Sequence, residues 1–89
     1  MRMAFRVHGR VQGVGFRYFV REQARNLGIG GWVQNEINGT VCGEAAGEAL
    51  PMEAFRRLLE RGPSMSYVTR LDWTPLDEGQ SSPLPFEVR

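Results

Sequence analysis

Met3-Ala4-Phe5-Arg6-Val7-His8-Gly9-Arg10-Val11-Gln12-Gly13-Val14-Gly15-Phe16-Arg17 is the stretch whose reading decides the fold. Met3, Phe5 and Val7 alternate with Ala4, Arg6 and His8, the two-residue period of a half-buried strand. Beyond the closely spaced glycines the period changes. Phe16, Phe19, Val20, Ala24 and Leu27 recur at helical spacing, Arg17, Arg21, Glu22 and Arg25 take the other faces, and Gly28 stops the helix. A strand therefore passes through a glycine-rich loop straight into a helix.

The rest of the chain continues that pattern. Gly31 to Glu36 and Thr40 to Ala46 read as two strands around Asn38-Gly39, a strong hairpin signal. A two-residue turn would mix polar and apolar residues on each face. A three-residue loop with Gly39 left-handed pairs Glu36 with Thr40 and collects Val33, Val41 and Ala45 on one side, so this register is preferred; Asn35 is then the polar exception on that face. Pro51 is expected to start a second helix with Met52, Phe55, Leu58 and Leu59 as its apolar stripe, ended by Gly62-Pro63. Tyr67 to Thr74 reads as a strand, Asp77 to Pro85 as a surface loop, and Phe86 to Arg89 as a short closing strand. The expected architecture is α+β, a βαββαβ order with a short final strand and two helices on one face of a mostly antiparallel sheet. Residues 1–89 are expected to form a single domain. That architecture serves enzymes, RNA-binding modules and ligand sensors alike, so function must come from a site.

Composition removes several classes. With 89 residues, 42% hydrophobic and 24% charged, the chain can build one modest core. Its 11 basic residues are all arginine, and against 10 acidic residues they leave a net charge of +1. This balance makes no electrostatic case for nucleic-acid or membrane-surface binding. Without lysine there is no Schiff-base chemistry and no Walker-type phosphate loop. Cys42 is the one cysteine and His8 the one histidine, so no internal disulfide forms and a metal site is not expected. Apolar runs such as Tyr18-Phe19-Val20 are far too short for a signal peptide or a membrane span. A soluble protein of a reducing, cytoplasmic compartment is the expectation.

The loop is where chemistry can sit. Gly9, Gly13 and Gly15 permit backbone conformations that aim successive N–H groups at one point, and the following helix adds the positive end of its dipole. Arg17, in the first turn, presents a planar fork of donors that stays charged at any working pH. A dinucleotide fingerprint is ruled out because its third glycine would fall at Tyr18, and a cysteine-phosphatase loop because no arginine stands six residues after Cys42. On spacing alone, two readings stay open: a phosphate cradle, and a tight turn beside a solvated arginine.

The stretch Gly9 to Arg17 strongly resembles the acylphosphatase signature G-x-V-Q-G-V-x-F-R. Gly31-Trp32-Val33-Gln34-Asn35 followed by Asn38-Gly39-Thr40-Val41 is similar to the family's second signature, G-W-V-x-N-x-x-D-G-x-V, at the family's separation. Likeness extends through Gly62-Pro63 to Phe86-Glu87-Val88-Arg89. Asn38 stands where aspartate is common, and Cys42-Gly43 replaces a more usual polar pair. The resemblance implies a ferredoxin-like two-layer sandwich and hydrolysis of acyl phosphates such as acetyl phosphate, carbamoyl phosphate and 1,3-bisphosphoglycerate, without metal, cofactor or covalent intermediate. It implies that Arg17 binds the phosphate and Asn35 holds the attacking water. The backbone of Gly9, Arg10, Val11, Gln12, Gly13, Val14 and Gly15 would form the cradle, with the role of the Gln12 side chain left open.

The remaining candidates read as structural. His8 is expected on the surface of its strand, Cys42 as a small strand residue without an activating base, and Trp32 packed against the sheet. The acyl phosphate and inorganic phosphate are the expected partners, with no nucleic acid and no membrane, and the chain is expected to be a monomer. A phosphate-sensing module would keep Arg17 but should lack Asn35. A single-stranded RNA binder would need a basic sheet face with exposed aromatics, and the strands carry no arginine cluster. An acylphosphatase-like domain of a larger carbamoyl-transfer enzyme is a related alternative.

Overall fold

In a computed structural model describing residues 1–89, the opening alternation is strand β1, Arg2–Arg10, with Met3, Phe5 and Val7 turned into the core. The glycine loop leads into α1, Phe16–Asn26, which buries Phe16, Val20 and Ala24. Strands β2 (Gly30–Asn35) and β3 (Val41–Ala46) form the hairpin, followed by α2 (Ala49–Arg61), β4 (Tyr67–Pro75) and a two-residue β5 (Glu87–Val88). The sheet order is β4-β1-β3-β2-β5, antiparallel throughout except where β5 runs parallel to β2. Both helices cover one face of this sheet, giving the ferredoxin-like α+β sandwich that the alternation and the helix spacing call for.

The hairpin adopts the three-residue register. The Glu36 amide donates to the Thr40 carbonyl at 2.9 Å, and Gly39 is left-handed at φ +90°. Val33, Val41 and Ala45 are consequently all fully buried. Cys42, Glu44 and Trp32 are turned to the opposite face, which carries no helix. There polar pairs satisfy the side chains: Arg2 Nη2 bonds Glu44 at 2.6 Å and Arg6 Nη1 donates to Thr40 Oγ1 at 2.7 Å.

Three details differ from the sequence reading. β1 continues to Arg10, past a bulge at His8/Gly9, because β4 supplies ladder partners as far as Tyr67. α2 begins at Ala49 rather than Pro51, and Pro51 is accommodated because amides in the first helical turn need no intrahelical acceptor. The closing strand shortens to Glu87–Val88, while Phe86 drops into the core, fully buried. No helix is long and apolar enough to cross a membrane.

The core is one cluster, organised around Phe55 of α2. Its ring meets Phe5 edge-on at 5.9 Å and Phe86 at 6.1 Å, with Trp73 at 6.5 Å, so one side chain joins β1, β4, α2 and the C-terminal segment. Phe55→Ala should therefore lower unfolding free energy by about 3–5 kcal/mol, the range for deleting a buried aromatic ring. Urea denaturation checks this, and a loss under about 1 kcal/mol would show that the core collapses around the gap.

Candidate active site

β1 leaves the sheet after Arg10, and the next five residues turn the chain into α1. Val11, almost fully buried, pins the loop to the core. Gly13 and Gly15 then take left-handed conformations, φ +74° and +76°, and an added Cβ at either would meet nothing within 4 Å. Backbone conformation rather than lack of space is what requires glycine there. The first helical hydrogen bond runs from the Phe19 amide to the Gly15 carbonyl at 3.0 Å. No N–H between Val11 and Tyr18 donates a hydrogen bond within the chain, which leaves eight consecutive amides without an internal acceptor. A run of amides bent by left-handed residues forms an anion-binding concavity, and the helix dipole adds positive potential at the same place.

A cavity of about 230 Å³ opens on this row, bordered by Val11, Gly13, Gly15 and Phe16. Arg17 and Asn35 border it too, so the two side chains singled out in separate signatures share one space. Asn35 is the last residue of β2 and exposed, with its backbone opposite Val41. Arg17 donates one hydrogen bond, Nη1 to the main-chain oxygen of Arg89 at 3.0 Å. The guanidinium is thus oriented by the C-terminal segment while its remaining donors have no partner in the chain. Larger depressions of about 470 Å³ beside Met1 and about 390 Å³ on the helix-free sheet face include neither Arg17 nor Asn35.

The other residues of the loop divide by role. Gly9 and Arg10 belong to the β1 ladder, opposite Val68 and Tyr67, and do not border the cavity. Gly9 is needed because a Cβ would run into the Tyr67 carbonyl oxygen at its φ of +122°. Val14 packs against the core. Gln12 turns its side chain away to the hairpin, donating from Nε2 to the carbonyls of Glu36 at 2.7 Å and Thr40 at 2.9 Å. His8 lies outside the cavity, its Nε2 2.8 Å from Asp72 Oδ2, and this contact, followed by that of Arg70, holds the Asp72 carboxyl below its ordinary range. Trp32 lies under the Arg89 guanidinium at 4.8 Å.

These geometric features coincide with sequence relationships. The sequence model of the acylphosphatase family matches residues 3–87. The chain belongs to the acylphosphatase family. "Acylphosphatase 2" of Ralstonia nicotianae is 42% identical over 91 residues, covering 100% of this chain and 93% of that protein. The acylphosphatase of Bacillus subtilis superposes with a TM-score of 0.87 at 34% identity, covering 99% of this chain and 97% of its own. That of Coxiella burnetii gives 0.86 at 35%, covering 99% and 90%. Acylphosphatases are hydrolases, and this chain is one of them.

Sequence reasoning missed the C-terminal contribution to this cavity. Val88 borders the cavity and the main-chain oxygen of Arg89 orients Arg17, yet both arrive through a parallel pairing with β2 from the far end of the chain. Only the bare presence of Phe86-Glu87-Val88-Arg89 as a strand hinted at it. Tyr18 was also passed over: it borders the cavity, exposed, with Arg21 4.5 Å above its ring.

Cys42 takes no part in the cavity. Burial, reinforced by a hydrogen bond to Glu36 Oε1 at 3.0 Å, pushes its thiol up to about 11. At pH 8 about one molecule in a thousand then carries the thiolate, the reactive form. Native protein should react with an aromatic disulfide reagent far more slowly than urea-unfolded protein, and Glu36→Gln should accelerate the native reaction. Equal native and unfolded rates would contradict this placement.

Proposed function

We propose that the cavity hydrolyses acyl phosphates by direct attack of water on phosphorus, with Arg17 and the Gln12–Tyr18 amides holding the phosphoryl group and Asn35 holding the water. One observation carries this reading: six residues with unpaired amides (Val11, Gly13, Gly15, Phe16, Arg17 and Tyr18), the guanidinium of Arg17 with its free donors, and Asn35 all border the same space of about 230 Å³. The cavity lining contains no carboxylate, histidine or cysteine that could act as nucleophile or general base. The chemistry must therefore run on positioning and charge.

It can, because the leaving group is good. An acyl phosphate expels a carboxylate whose conjugate acid has a pKa of about 4, so no protein acid is required. The water oxygen forms the new bond to phosphorus as the bond to the acyl oxygen breaks, and that oxygen departs with the electron pair as carboxylate. Both protons of the water end on the phosphate, giving dihydrogen phosphate, which equilibrates with solvent. A phosphoryl oxygen of the substrate serves as the acceptor. Charge spreads over the three equatorial oxygens in the transition state, where fixed amides and a bidentate guanidinium stabilise it without reorganisation. Recognition acts on the phosphate, so acetyl phosphate, carbamoyl phosphate and 1,3-bisphosphoglycerate all qualify as substrates. Neither metal nor cofactor enters the reaction.

Benzoyl phosphate hydrolysis in the presence of chelator tests this. Arg17→Lys keeps the charge but loses the fork, and activity should fall at least ~10²-fold, comparable to deleting a transition-state donor. Retention of half the activity would contradict the role of Arg17. Asn35→Ala should lose turnover while inorganic phosphate still inhibits with unchanged strength. Joint loss of turnover and phosphate binding would make Asn35 structural. The rate should vary shallowly with pH around neutrality and be unaltered by His8→Gln; a steep limb that vanishes in that variant would assign the proton to histidine.

A further inference from the structure

We propose that Gln12 is a positioning residue, whose side chain locks the hairpin carrying Asn35 to the amide row that receives the phosphate. The proposal rests on the function assigned to Asn35 above. Gln12 belongs to both structures at once: its backbone N–H is one of the unpaired amides, while its side chain bonds the hairpin. Nε2 has two protons, and both are used, one on the Glu36 carbonyl at 2.7 Å and one on the Thr40 carbonyl at 2.9 Å. Those carbonyls flank the three-residue turn. Each also accepts a bond from within the hairpin, Thr40 from the Glu36 amide at 2.9 Å and Glu36 from the Gly39 amide at 3.1 Å.

Asn35 immediately precedes Glu36, at the end of β2, where the sheet runs out. Beyond its ladder position opposite Val41, the strand end is held by the Glu36–Thr40 bond, by contacts of Arg6 and Cys42 from the neighbouring strands to the Thr40 and Glu36 side chains, and by Gln12. The Glu36–Thr40 bond fixes the turn to itself but not to the phosphate loop. The β1–β3 ladder and Arg6 tie the hairpin to β1, but the only hydrogen bonds from the loop itself to the turn are those of the Gln12 amide. It therefore helps to set the distance between the Asn35 side chain and the phosphorus, the quantity an attacking water depends on. A misplacement of ~1 Å in such an arrangement costs about 10²-fold in rate.

Chemistry supplies a test that separates this role from ordinary stabilisation. In Gln12→Glu the carboxylate has no proton to offer two carbonyls, whereas the protonated acid restores one of the two bonds. The facing carbonyl oxygens disfavour the charged form, so its titration should lie above the usual Glu value of about 4.3. Steady-state kinetics with benzoyl phosphate between pH 5 and 8 should therefore show Gln12→Glu gaining on wild type as pH falls. Gln12→Met, similar in length without donors, should lose about 10²-fold in kcat while the inhibition constant of inorganic phosphate stays within about threefold. Added to Asn35→Ala, it should lower the rate less than about twofold further, since two residues acting through one water are not additive.

The assignment is overturned if Gln12→Glu follows the wild-type pH profile, if phosphate binding weakens as much as kcat falls, or if the Gln12→Met loss multiplies in full with that of Asn35→Ala. Should Gln12→Met fail to fold, the pH response of Gln12→Glu decides alone. An inactive wild type overturns the proposed function itself, and this role with it.

Discussion

Between the last ladder pair of β1, Arg10 with Tyr67, and the first helical bond of α1, Phe19 to Gly15, the chain gives its amides no acceptor of its own. Unpaired N–H groups at a helix start are ordinary, but they are usually capped by a preceding side chain. Here the N-cap is Gly15, which has no side chain, and Gly13 and Gly15 bend the row inward through left-handed conformations. The row is open because the fold closes everything around it. β1 is a central strand, Val11 and Phe16 are buried on either side of the turn, and Gln12 bonds the neighbouring hairpin. A rigid frame thus holds a segment whose own hydrogen bonding is incomplete, and an anion is the natural complement.

Most of this frame can be read from local sequence. The alternation of Met3, Phe5 and Val7, the helical spacing from Phe16 to Leu27 and the Asn38-Gly39 turn each carry a short-range physical rule, and each element forms where the rule puts it. Burial of Val33, Val41 and Ala45 together shows why the three-residue turn was the better choice: the other register exposes part of that set. Arg17 and Asn35 could be named from signatures, though the signatures say nothing of how two distant segments meet. Their meeting follows from sheet order: β3 lies between β1 and β2 and pairs antiparallel with both, so β1 and β2 run the same way and the end of β2 comes near the loop that follows β1.

What was hidden is what depends on long-range pairing. β5 is two residues long and pairs in parallel with β2, a contact no periodicity could announce in so short a segment. With it came the main-chain oxygen of Arg89 on Arg17 and Val88 at the cavity wall. Reading the cradle as starting at Gly9 overextended it for a related reason: glycine looks the same in a loop and in a bulged strand. Gly9 is there so that β1 can approach the Tyr67 carbonyl, and the concavity begins further along. On the proposed reaction the site needs little else, since a carboxylate leaving group removes the demand for acid catalysis, and that economy fits an 89-residue chain without lysine.

The central claim is that the unpaired amides from Gln12 to Tyr18 receive a phosphoryl group. Amide NMR shifts followed through a titration with inorganic phosphate measure this residue by residue. The account predicts that the largest saturable shifts fall on Gln12 to Tyr18 and on the Arg17 side chain, with Asn35 next. Saturable shifts confined to another part of the surface, with the Gln12–Tyr18 amides unmoved, would contradict it.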